Sequence, residues 1–111
     1  MHLLVEGVNH RSAPLSFREQ VFLSGENLRH WLRRLSRTPG LSGGAILSTC
    51  NRTEFFVTAP DREAAEVELS EILRAVDGSG AWERHRYRLS GDAALEHLFK
   101  VPAGLDSVIL G

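Results

Sequence analysis

Hydrophobic and polar positions follow one another in blocks that predict four β-strands. A short apolar run bounded by turn residues, or an alternation of apolar and polar residues, is typical of a strand. By these criteria the predicted strands cover residues 3–8, 45–47, 54–58 and 85–89. The segment 48–52, between the second strand and the third, is short enough to be a hairpin connection.

Helical periodicity fills the intervals between these strands. Ser16 and Glu19 have the spacing of a capping box, which predicts the start of a short helix. The inward side of this helix is expected to carry Phe17, Val21 and Phe22. A loop is predicted before it, because asparagine, serine and proline cluster there.

Two longer helices show apolar stripes with a 3.6-residue period and recognisable end signals. Ser24 is predicted to cap the first of them, and the segment 38–40 ends it. Asp61 is predicted to begin the second, and the segment 77–80 ends it. The inward residues are Leu28, Trp31, Leu32 and Leu35 on the first helix, and Ala65, Leu69, Ile72, Leu73 and Val76 on the second.

The order of the predicted elements specifies a fold class. A last helix is expected from about residue 91 to residue 100, with Ser90 as its cap. The chain then has strand–helix–strand twice over, which is the βαββαβ order of the ferredoxin-like, split βαβ arrangement. We therefore predict an α+β protein with a four-stranded antiparallel sheet, helices covering one face of that sheet, and an additional C-terminal helix. Residues 1–111 are expected to form a single domain.

Composition and charge narrow the class of protein further. The 111 residues are 42% hydrophobic and 24% charged, as in an ordinary globular domain. No apolar run approaches the roughly 20 residues that a membrane helix needs, and no secretory leader is evident. The formal net charge of −1 excludes a uniformly basic nucleic-acid binder, although it leaves room for a local basic patch. The apolar ending over residues 104–111 favours a domain taken from a longer protein.

The one cysteine carries the main chemical question of the sequence. Cys50 stands in the run Ser-Thr-Cys-Asn-Arg at the predicted hairpin. It cannot form an internal disulfide, which favours a reducing, cytoplasmic setting, and no His/Cys cluster has zinc-ligand spacing. A nearby cation such as Arg52 would lower the thiol pKa from about 8.5, or would hold a substrate carboxylate. A lone cysteine is also often a small buried hydrophobe, so both interpretations remain open here.

A thiol nucleophile usually needs a partner that accepts or returns a proton. The five histidines are His2, His10, His30, His85 and His97. Positions 2 and 30 are expected at the surface, and position 10 in a loop. His85 is predicted to face the core from the last strand, whereas His97 flanks the apolar stripe of the last helix and could reach a cleft. Sequence spacing alone does not pair any of them with Cys50.

Two groups of basic side chains could meet phosphates. One lies on the polar side of the first long helix and comprises Arg29, Arg33, Arg34 and Arg37, with His30. The other follows the last predicted strand and comprises Arg84, Arg86 and Arg88. The alternative interpretation is a solvated helix face and a charged edge strand that resists aggregation.

Three separate motifs in the chain resemble those of glutamyl-tRNA reductases. The first is Ser-Thr-Cys-Asn-Arg-Thr-Glu at 48–54, and the second is Gly-Val-Asn-His-Arg-Ser-Ala-Pro at 7–14, followed by Arg-Glu at 18–19. The third is Gly-Leu-Asp-Ser at 104–107, continuing to Leu-Gly at 110–111. The resemblance covers the whole chain, yet only the N-terminal, catalytic part of the family's proteins. Those proteins continue into an NADPH-binding domain and a helical dimerisation domain.

The resemblance implies an activity and its partners. The family reduces the glutamyl ester of tRNA to glutamate-1-semialdehyde, which opens the route to 5-aminolevulinate and tetrapyrroles. Its cysteine attacks the ester and forms a thioester, which NADPH then reduces. The implied partner is therefore glutamyl-tRNA, and the full-length protein would be a cytoplasmic homodimer that uses no metal. The domain alone would only form the thioester or hydrolyse the ester.

The resemblance also implies roles for individual residues. The catalytic residues would be Cys50 and His97, and the substrate-binding residues would be Thr49, Asn51, Arg52 and Ser107. The motif loop with Asn9 and His10 would border the site. Where the family commonly has Ala-Ser before the third motif, this chain has Pro102-Ala103, and a proline there bears on the Ser107 contact. The alternatives are a non-catalytic ferredoxin-like RNA-binding or regulatory module, and a stand-alone deacylase of aminoacyl-tRNA.

Overall fold

A computed structural model describes residues 1–101 and the backbone of residues 107–109. The first half of the chain forms β1 (His2–Asn9), α1 (Leu15–Gln20), α2 (Gly25–Ser36), β2 (Gly43–Ser48) and β3 (Arg52–Ala59). The second half forms α3 (Arg62–Asp77), α4 (Trp82–His85), β4 (Tyr87–Ser90), α5 (Gly91–Phe99) and β5 (Ser107–Ile109). No helix of the described residues is long and apolar enough to cross a bilayer.

The strands form one antiparallel sheet in the order β4-β1-β3-β2-β5. The first four strands in this order have the arrangement of the split βαβ fold, so the predicted fold class is confirmed. The fifth strand was not predicted, and it pairs with the outer edge of β2, where Ser107 lies opposite Ile46. It thereby covers backbone groups of β2 that would otherwise form the sheet edge.

Each face of the sheet carries its own apolar cluster, because alternate residues of a strand point to opposite faces. On one face, α1 to α4 pack on the sheet. Residues buried there include Leu4, Val8, Phe17, Leu28, Phe55, Val57, Leu69 and Trp82. On the other face, α5 packs through Ala94 on a smaller cluster that comprises Val5, Ala45, Leu47 and Phe56. The predicted additional helix therefore covers the face opposite the other helices.

The start of α1 corrects two expectations. The helix begins at Leu15 with Pro14 as its N-cap, so Ser16 lies inside the helix and the predicted capping box does not form. Proline has a preset φ, here −69°, and its carbonyl accepts from Phe17 N at 3.1 Å. Phe22, expected to face inward, is 42% exposed, because α1 ends at Gln20 and the helical period does not continue to it.

The region before the last strand also differs from its prediction. Residues 82–85 form the short helix α4, and β4 begins only at Tyr87. Trp82 is fully buried, and its Nε1 donates to Glu6 Oε2 at 2.7 Å, which draws this segment onto the sheet. His85 therefore lies at the end of a helix, where its ring packs 4.5 Å from that of Phe17.

The caps of the long helices follow the predicted signals. Asp61 is the N-cap of α3, and its side chain accepts from Ala64 N at 3.2 Å. Gly78 ends the same helix with a φ of +72°, a conformation that favours glycine. Ser24 and Ser90 hold the N-cap positions of α2 and α5, although neither side chain makes a capping hydrogen bond.

Candidate active site

The β2–β3 hairpin presents Cys50 to solvent. Thr49 N donates to Arg52 O at 2.7 Å, which closes the turn around the two central residues, Cys50 and Asn51. Thr49 Oγ1 accepts from Asn51 N at 3.2 Å and from Arg52 N at 3.3 Å. The cysteine is exposed and is not in a disulfide. The structure therefore gives the thiol an accessible position rather than an apolar pocket.

Buried hydroxyl groups fix the base of this hairpin to the segment that leads into α2. Ser48 Oγ and Thr53 Oγ1 lie 2.8 Å apart and are both buried. Leu23 N donates to Ser48 Oγ at 2.9 Å, while Thr53 Oγ1 donates to Val21 O at 3.4 Å. Because buried polar groups that have partners hold a single geometry, these contacts set where the tip of the hairpin stands.

The residues of the first two motifs meet at this end of the sheet. Asn9, the last residue of β1, lies opposite Arg52 in the β1–β3 ladder. Its side chain accepts from two backbone N–H groups of the loop that follows and so closes that loop. Arg18 bridges the loop and the hairpin, since its Nε donates to Ala13 O at 3.2 Å and its Nη1 donates to Cys50 O at 3.3 Å. His10 is exposed in the loop.

Beside the hairpin lies a group of four side chains that we call the Glu54 cluster: Arg52, Glu54, Tyr87 and His97. The Glu54 side chain is fully buried, on the face covered by α5. It accepts hydrogen bonds from the Tyr87 hydroxyl and pairs with His97 Nε2. Arg52 Nη1 lies 3.4 Å from Glu54 Oε1. The structure therefore places His97, which the resemblance predicts to be catalytic, against a buried carboxylate two residues from Arg52.

Gly7 makes room for this arrangement. It lies opposite Glu54 on one side and opposite Tyr87 on the other. A Cβ at this position would stand 2.4 Å from Thr53 O and 2.9 Å from Glu54 Cα. A side chain here would push β3 away, so the close approach of Tyr87 and Glu54 across β1 requires a glycine.

The surroundings of Tyr87 and His97 favour one protonation form of each side chain. Burial raises the pKa of Tyr87, and the hydrogen bond to Glu54 and the charge of that carboxylate raise it further. The tyrosine thus stays neutral and acts as a donor. A carboxylate facing His97 Nε2 favours a proton on that nitrogen and leaves Nδ1 as the acceptor. The imidazole ring is held between Phe56 and Tyr87, at centroid distances of 6.2 Å and 6.0 Å.

Several predicted contacts fall elsewhere or outside the described residues. The hydrogen bonds among those residues include none between the Cys50 thiol and His97, and the guanidinium of Arg52 faces Glu54 rather than the sulfur. For Ser107 the structure describes the backbone in β5 only, and Pro102 lies outside the described residues. No group of three or more His, Cys, Asp or Glu side chains suited to a metal occurs in the described part of the chain.

Sequence reasoning missed Glu54, Tyr87 and Arg18 as parts of this site. For the first there was a signal: in a strand, Arg52 and Glu54 share a face, and a carboxylate next to two phenylalanines is expected to be buried and therefore paired. For Arg18 the signal was the second motif, which includes Arg-Glu at 18–19, although its contact with Cys50 O is 32 residues distant in sequence. For Tyr87 there was none, because its contact with Glu54 is 33 residues distant.

The arginines of the last strand belong to a second group, which we call the Glu6 cluster: Glu6, Ser70, Trp82, Arg86 and Arg88. It lies on the opposite face of the sheet. Arg88 Nε lies 3.0 Å from Glu6 Oε1, and Arg86 Nε lies 3.8 Å from Glu6 Oε2. The predicted row of arginines along an edge strand therefore does not form, because Arg86 and Arg88 pair with a buried carboxylate and Arg84 lies in α4.

Fold and site together define a class of protein: a ferredoxin-like α+β domain with an exposed thiol at a hairpin tip, beside a buried carboxylate that holds an imidazole. Comparison with known families refines this class. The model of the family described as "Glutamyl-tRNAGlu reductase, N-terminal domain" matches residues 7–111. The chain belongs to this family.

Known relatives agree with this assignment and are much longer. The chain is 39% identical over 113 residues to the glutamyl-tRNA reductase of Carboxydothermus hydrogenoformans, with 100% of the chain and 25% of the relative covered. It is 39% identical over 114 residues to that of Magnetococcus marinus, with 100% and 27% covered. The solved structure of the Methanopyrus kandleri glutamyl-tRNA reductase aligns with a TM-score of 0.61 at 27% identity, over 95% of this chain and 23% of that one. This chain thus spans about a quarter of the length of these relatives.

Proposed function

We propose that this chain is the catalytic domain of a glutamyl-tRNA reductase and that Cys50 is its nucleophile. The sulfur attacks the carbonyl carbon of the glutamyl ester, a carbon–sulfur bond forms, and the bond to the ribose oxygen breaks. The products are a glutamyl thioester on Cys50 and a tRNA with its terminal hydroxyl restored. The observation that carries this proposal is the exposed thiol on a fixed hairpin tip, next to the Glu54 cluster.

In this step His97 transfers the proton, and Glu54 holds His97 in position. With its Nε2 held by the buried carboxylate, the imidazole offers Nδ1, which takes the thiol proton and returns it to the departing ribose oxygen. Glu54 touches His97 rather than the reacting atoms, so it is a positioning residue. Its burial keeps the pair away from bulk water, where their attraction would be weaker.

Substrate recognition falls to the hairpin and its neighbour strand. Arg52 uses Nη1 toward Glu54, and its remaining nitrogens are proposed to bind the γ-carboxylate of the glutamyl group. Thr49 and Asn51 form the turn around the thiol, so their part is to shape the pocket that receives the acyl group. Ser107 would add a further contact from β5.

The part of the chain that the structure describes has no recognisable NADPH site. A dinucleotide site needs a glycine-rich turn that opens a helix, and the glycines at 40, 43 and 44 lead into β2 instead. We therefore place the reduction in a further domain of the full-length protein, with glutamate-1-semialdehyde as its product. The relatives, about four times as long, leave room for such a domain and for homodimerisation. A cytoplasmic location is part of the same proposal.

The test is detection of the acyl-enzyme itself. The chain is mixed with glutamyl-tRNA without NADPH, quenched in acid and weighed by intact-mass spectrometry. We expect a glutamyl adduct on Cys50, and loss of the amino acid from tRNA faster than in the Cys50→Ser variant. His2→Asn is the matched control, because it changes an exposed histidine at the start of β1, at the opposite end of that strand from Asn9, and should form the adduct at the normal rate.

Two outcomes would count against the proposal. The first is the absence of any adduct while circular dichroism shows a folded chain. The second is alkylation of Cys50 by iodoacetamide that is slow in the folded state and becomes fast only when the chain unfolds. Either result would favour the non-catalytic RNA-binding or regulatory module, whereas turnover without NADPH or any partner domain would favour a deacylase.

A further inference from the structure

The exposed side of α2 is a concentrated basic surface. Three arginines of the helix and a fourth at its C-cap, Arg37, lie there, and three of the four form no ion pair within the described part of the chain. We call these five side chains the α2 basic surface: Arg29, His30, Arg33, Arg34 and Arg37. Among the described residues only Arg29 has an acidic partner, Glu26, whose Oε1 lies 2.6 Å from its Nη2. Because the others have no ion-pair partner in the described part of the chain, we take their charge to be available to an anion.

The spacing of these side chains suits an extended polyanion. Arg29, Arg33 and Arg37 are four residues apart, which places them in one row along the helix. At 1.5 Å of rise per residue the row is about 12 Å long. One strand of a nucleic acid helix presents about three phosphates over that length. A small anion would occupy only part of this row.

Neighbouring surface on the same side of the sheet has the opposite charge. The α2 helix contains three arginines and one glutamate, whereas α3 contains four glutamates and Asp77 against two arginines. Both helices pack on the face that contains Leu4 and Val8. An RNA backbone would be attracted to α2 and repelled from α3. The opposite charges of the two helices would therefore direct the RNA to the α2 side of this face.

The N-terminal end of α2, from which the basic surface extends, lies next to the hairpin that carries Cys50. Leu23, just before α2, donates through its backbone to Ser48, two residues before Cys50. The other end of the helix packs near the start of β2, since Leu35 Cδ1 lies 3.6 Å from the position of a Cβ on Gly44. The helix therefore runs from the reactive hairpin toward the opposite end of the strand.

We propose that the α2 basic surface binds the phosphate backbone of the substrate RNA and leads its aminoacylated end to Cys50. This inference rests on the proposed function for the identity of the RNA. Contacts to phosphates position a nucleic acid without reading its sequence, so the surface sets the location of the substrate and contributes affinity. Selection for glutamate stays with the hairpin and the Glu54 cluster.

Binding of unacylated tRNA specific for glutamate tests this surface directly. The α2 variant is Arg33→Gln/Arg34→Gln/Arg37→Gln, and the control is Arg62→Gln/Arg74→Gln/Arg84→Gln, which removes the same charge from α3 and α4. At about 0.1 M salt we expect the α2 variant to bind roughly tenfold or more weakly and the slope of log K against log salt to fall by about 2–3. The control should stay within about twofold, because its arginines lie among the acidic residues that repel RNA.

A second measurement separates this inference from the proposed function. The adduct on Cys50 is followed with glutamyl-tRNA and with a small glutamyl ester of adenosine. The α2 variant should react slowly with the former and at the normal rate with the latter. If it binds and reacts with glutamyl-tRNA like the unmodified chain, the inference is wrong. If the unmodified chain forms no adduct with either donor, the proposed function is wrong, while the binding measurement still tests the surface.

Discussion

The sheet buries one glutamate on each of its faces, and the two carboxylates serve different ends. Glu6 and Glu54 come from adjacent strands, one register position apart, and both are 0% exposed. A buried carboxylate is costly unless it is paired and hydrogen-bonded, and both meet that condition. The difference lies in their partners: the Glu6 cluster supplies two arginines, a hydroxyl and an indole, whereas the Glu54 cluster supplies one arginine, a phenol and an imidazole.

We propose that this difference separates a structural site, the Glu6 cluster, from a chemical one, the Glu54 cluster. The partners of Glu6 keep the same protonation state at all moderate pH values, and they join α3, α4 and β4 to the sheet. Glu54 faces a histidine that can exchange a proton, and its strand continues into the hairpin that carries Cys50. Burial of a charge therefore does not by itself mark an active site. The proposed active site has in addition a histidine partner and an exposed thiol on the neighbouring hairpin.

The largest expected effect is a loss of stability when the Glu6 cluster is disrupted. Glu6→Gln leaves Arg86 and Arg88 beside a neutral amide, and removing one member of a buried ion pair costs about 3 kcal/mol. Glu54→Gln should cost only about 1–2 kcal/mol of the free energy of unfolding, because an amide can still accept from Tyr87. Urea denaturation measures both, with Glu66→Gln, a partly exposed partner of Arg88, as the control.

The rate of Cys50 adduct formation should show the reverse order. Well below the unfolding transition, Glu6→Gln should react with glutamyl-tRNA at the normal rate, since the Glu6 cluster forms no hydrogen bond with the hairpin among the described residues. Glu54→Gln should react slowly, because His97 loses the charge that fixes its ring. Equal losses of stability, or equal losses of rate, would contradict the division between the two clusters.

An intermediate loss of stability is expected when Gly7, which lies between Tyr87 and Glu54 in the sheet, is replaced. Gly7→Ala would place a Cβ against the backbone of β3, which can yield only if the strands part, and overpacking of this kind costs about 1–3 kcal/mol. The matched control is Gly44→Ala, whose Cβ would stand 2.9 Å from Phe56 O, on β3 but away from the Glu54 cluster. Both variants should lose stability in urea.

Only the Gly7 variant should disturb the imidazole. The ¹⁵N chemical shifts of the His97 ring report which nitrogen carries the proton, and they should change in Gly7→Ala and not in Gly44→Ala. If both variants left the His97 shifts unchanged, the close approach across β1 would have no bearing on the Glu54 cluster.

How much of the two clusters and of the fold the sequence predicts depends on how far apart in sequence the contacting residues are. The alternation of Leu4, Glu6 and Val8, and the periodicity of the long helices, depend on neighbours in the chain, so the core helices and four strands were predicted. The elements that were missed are short: α4 has four residues and β5 has three, too few for either period to appear. Their positions are set by tertiary contacts, such as the indole of Trp82 with Glu6.

The candidate site divides in the same way. The hairpin around Cys50 was predicted from local residue types, and its resemblance to a known motif added a role. The pairing of Glu54 with Tyr87 and His97 joins positions 33 and 43 residues apart, and no local pattern shows which distant side chains will meet a buried carboxylate. The sequence predicted the hairpin that carries Cys50, whereas the partners of Glu54 required the fold.

The smallest expected effect, in Tyr87→Phe, tests whether the Glu54 cluster holds a neutral phenol. Near pH 7 the loss of this hydrogen bond should lower the free energy of unfolding by about 1 kcal/mol. Burial raises the pKa of Tyr87 above its ordinary value of 10.0, so the stabilisation from its neutral form is complete below about pH 10. Above that pH the unfolded chain releases the phenolic proton first, and the unmodified protein should lose stability relative to the variant.

The chain has a single tyrosine, so its ionisation can be followed directly by ultraviolet absorbance at alkaline pH. In urea, absorbance should rise with a midpoint near the ordinary pKa of the phenol. In the folded chain, with circular dichroism recorded at each pH, the rise should come later and coincide with unfolding, because the phenolate would lie against the Glu54 carboxylate. A folded chain that ionises at the same pH as in urea would mean that the phenol is hydrated. Glu54 would then lack its buried donor. The description of Glu54 as a buried, fully paired carboxylate like Glu6 would be wrong.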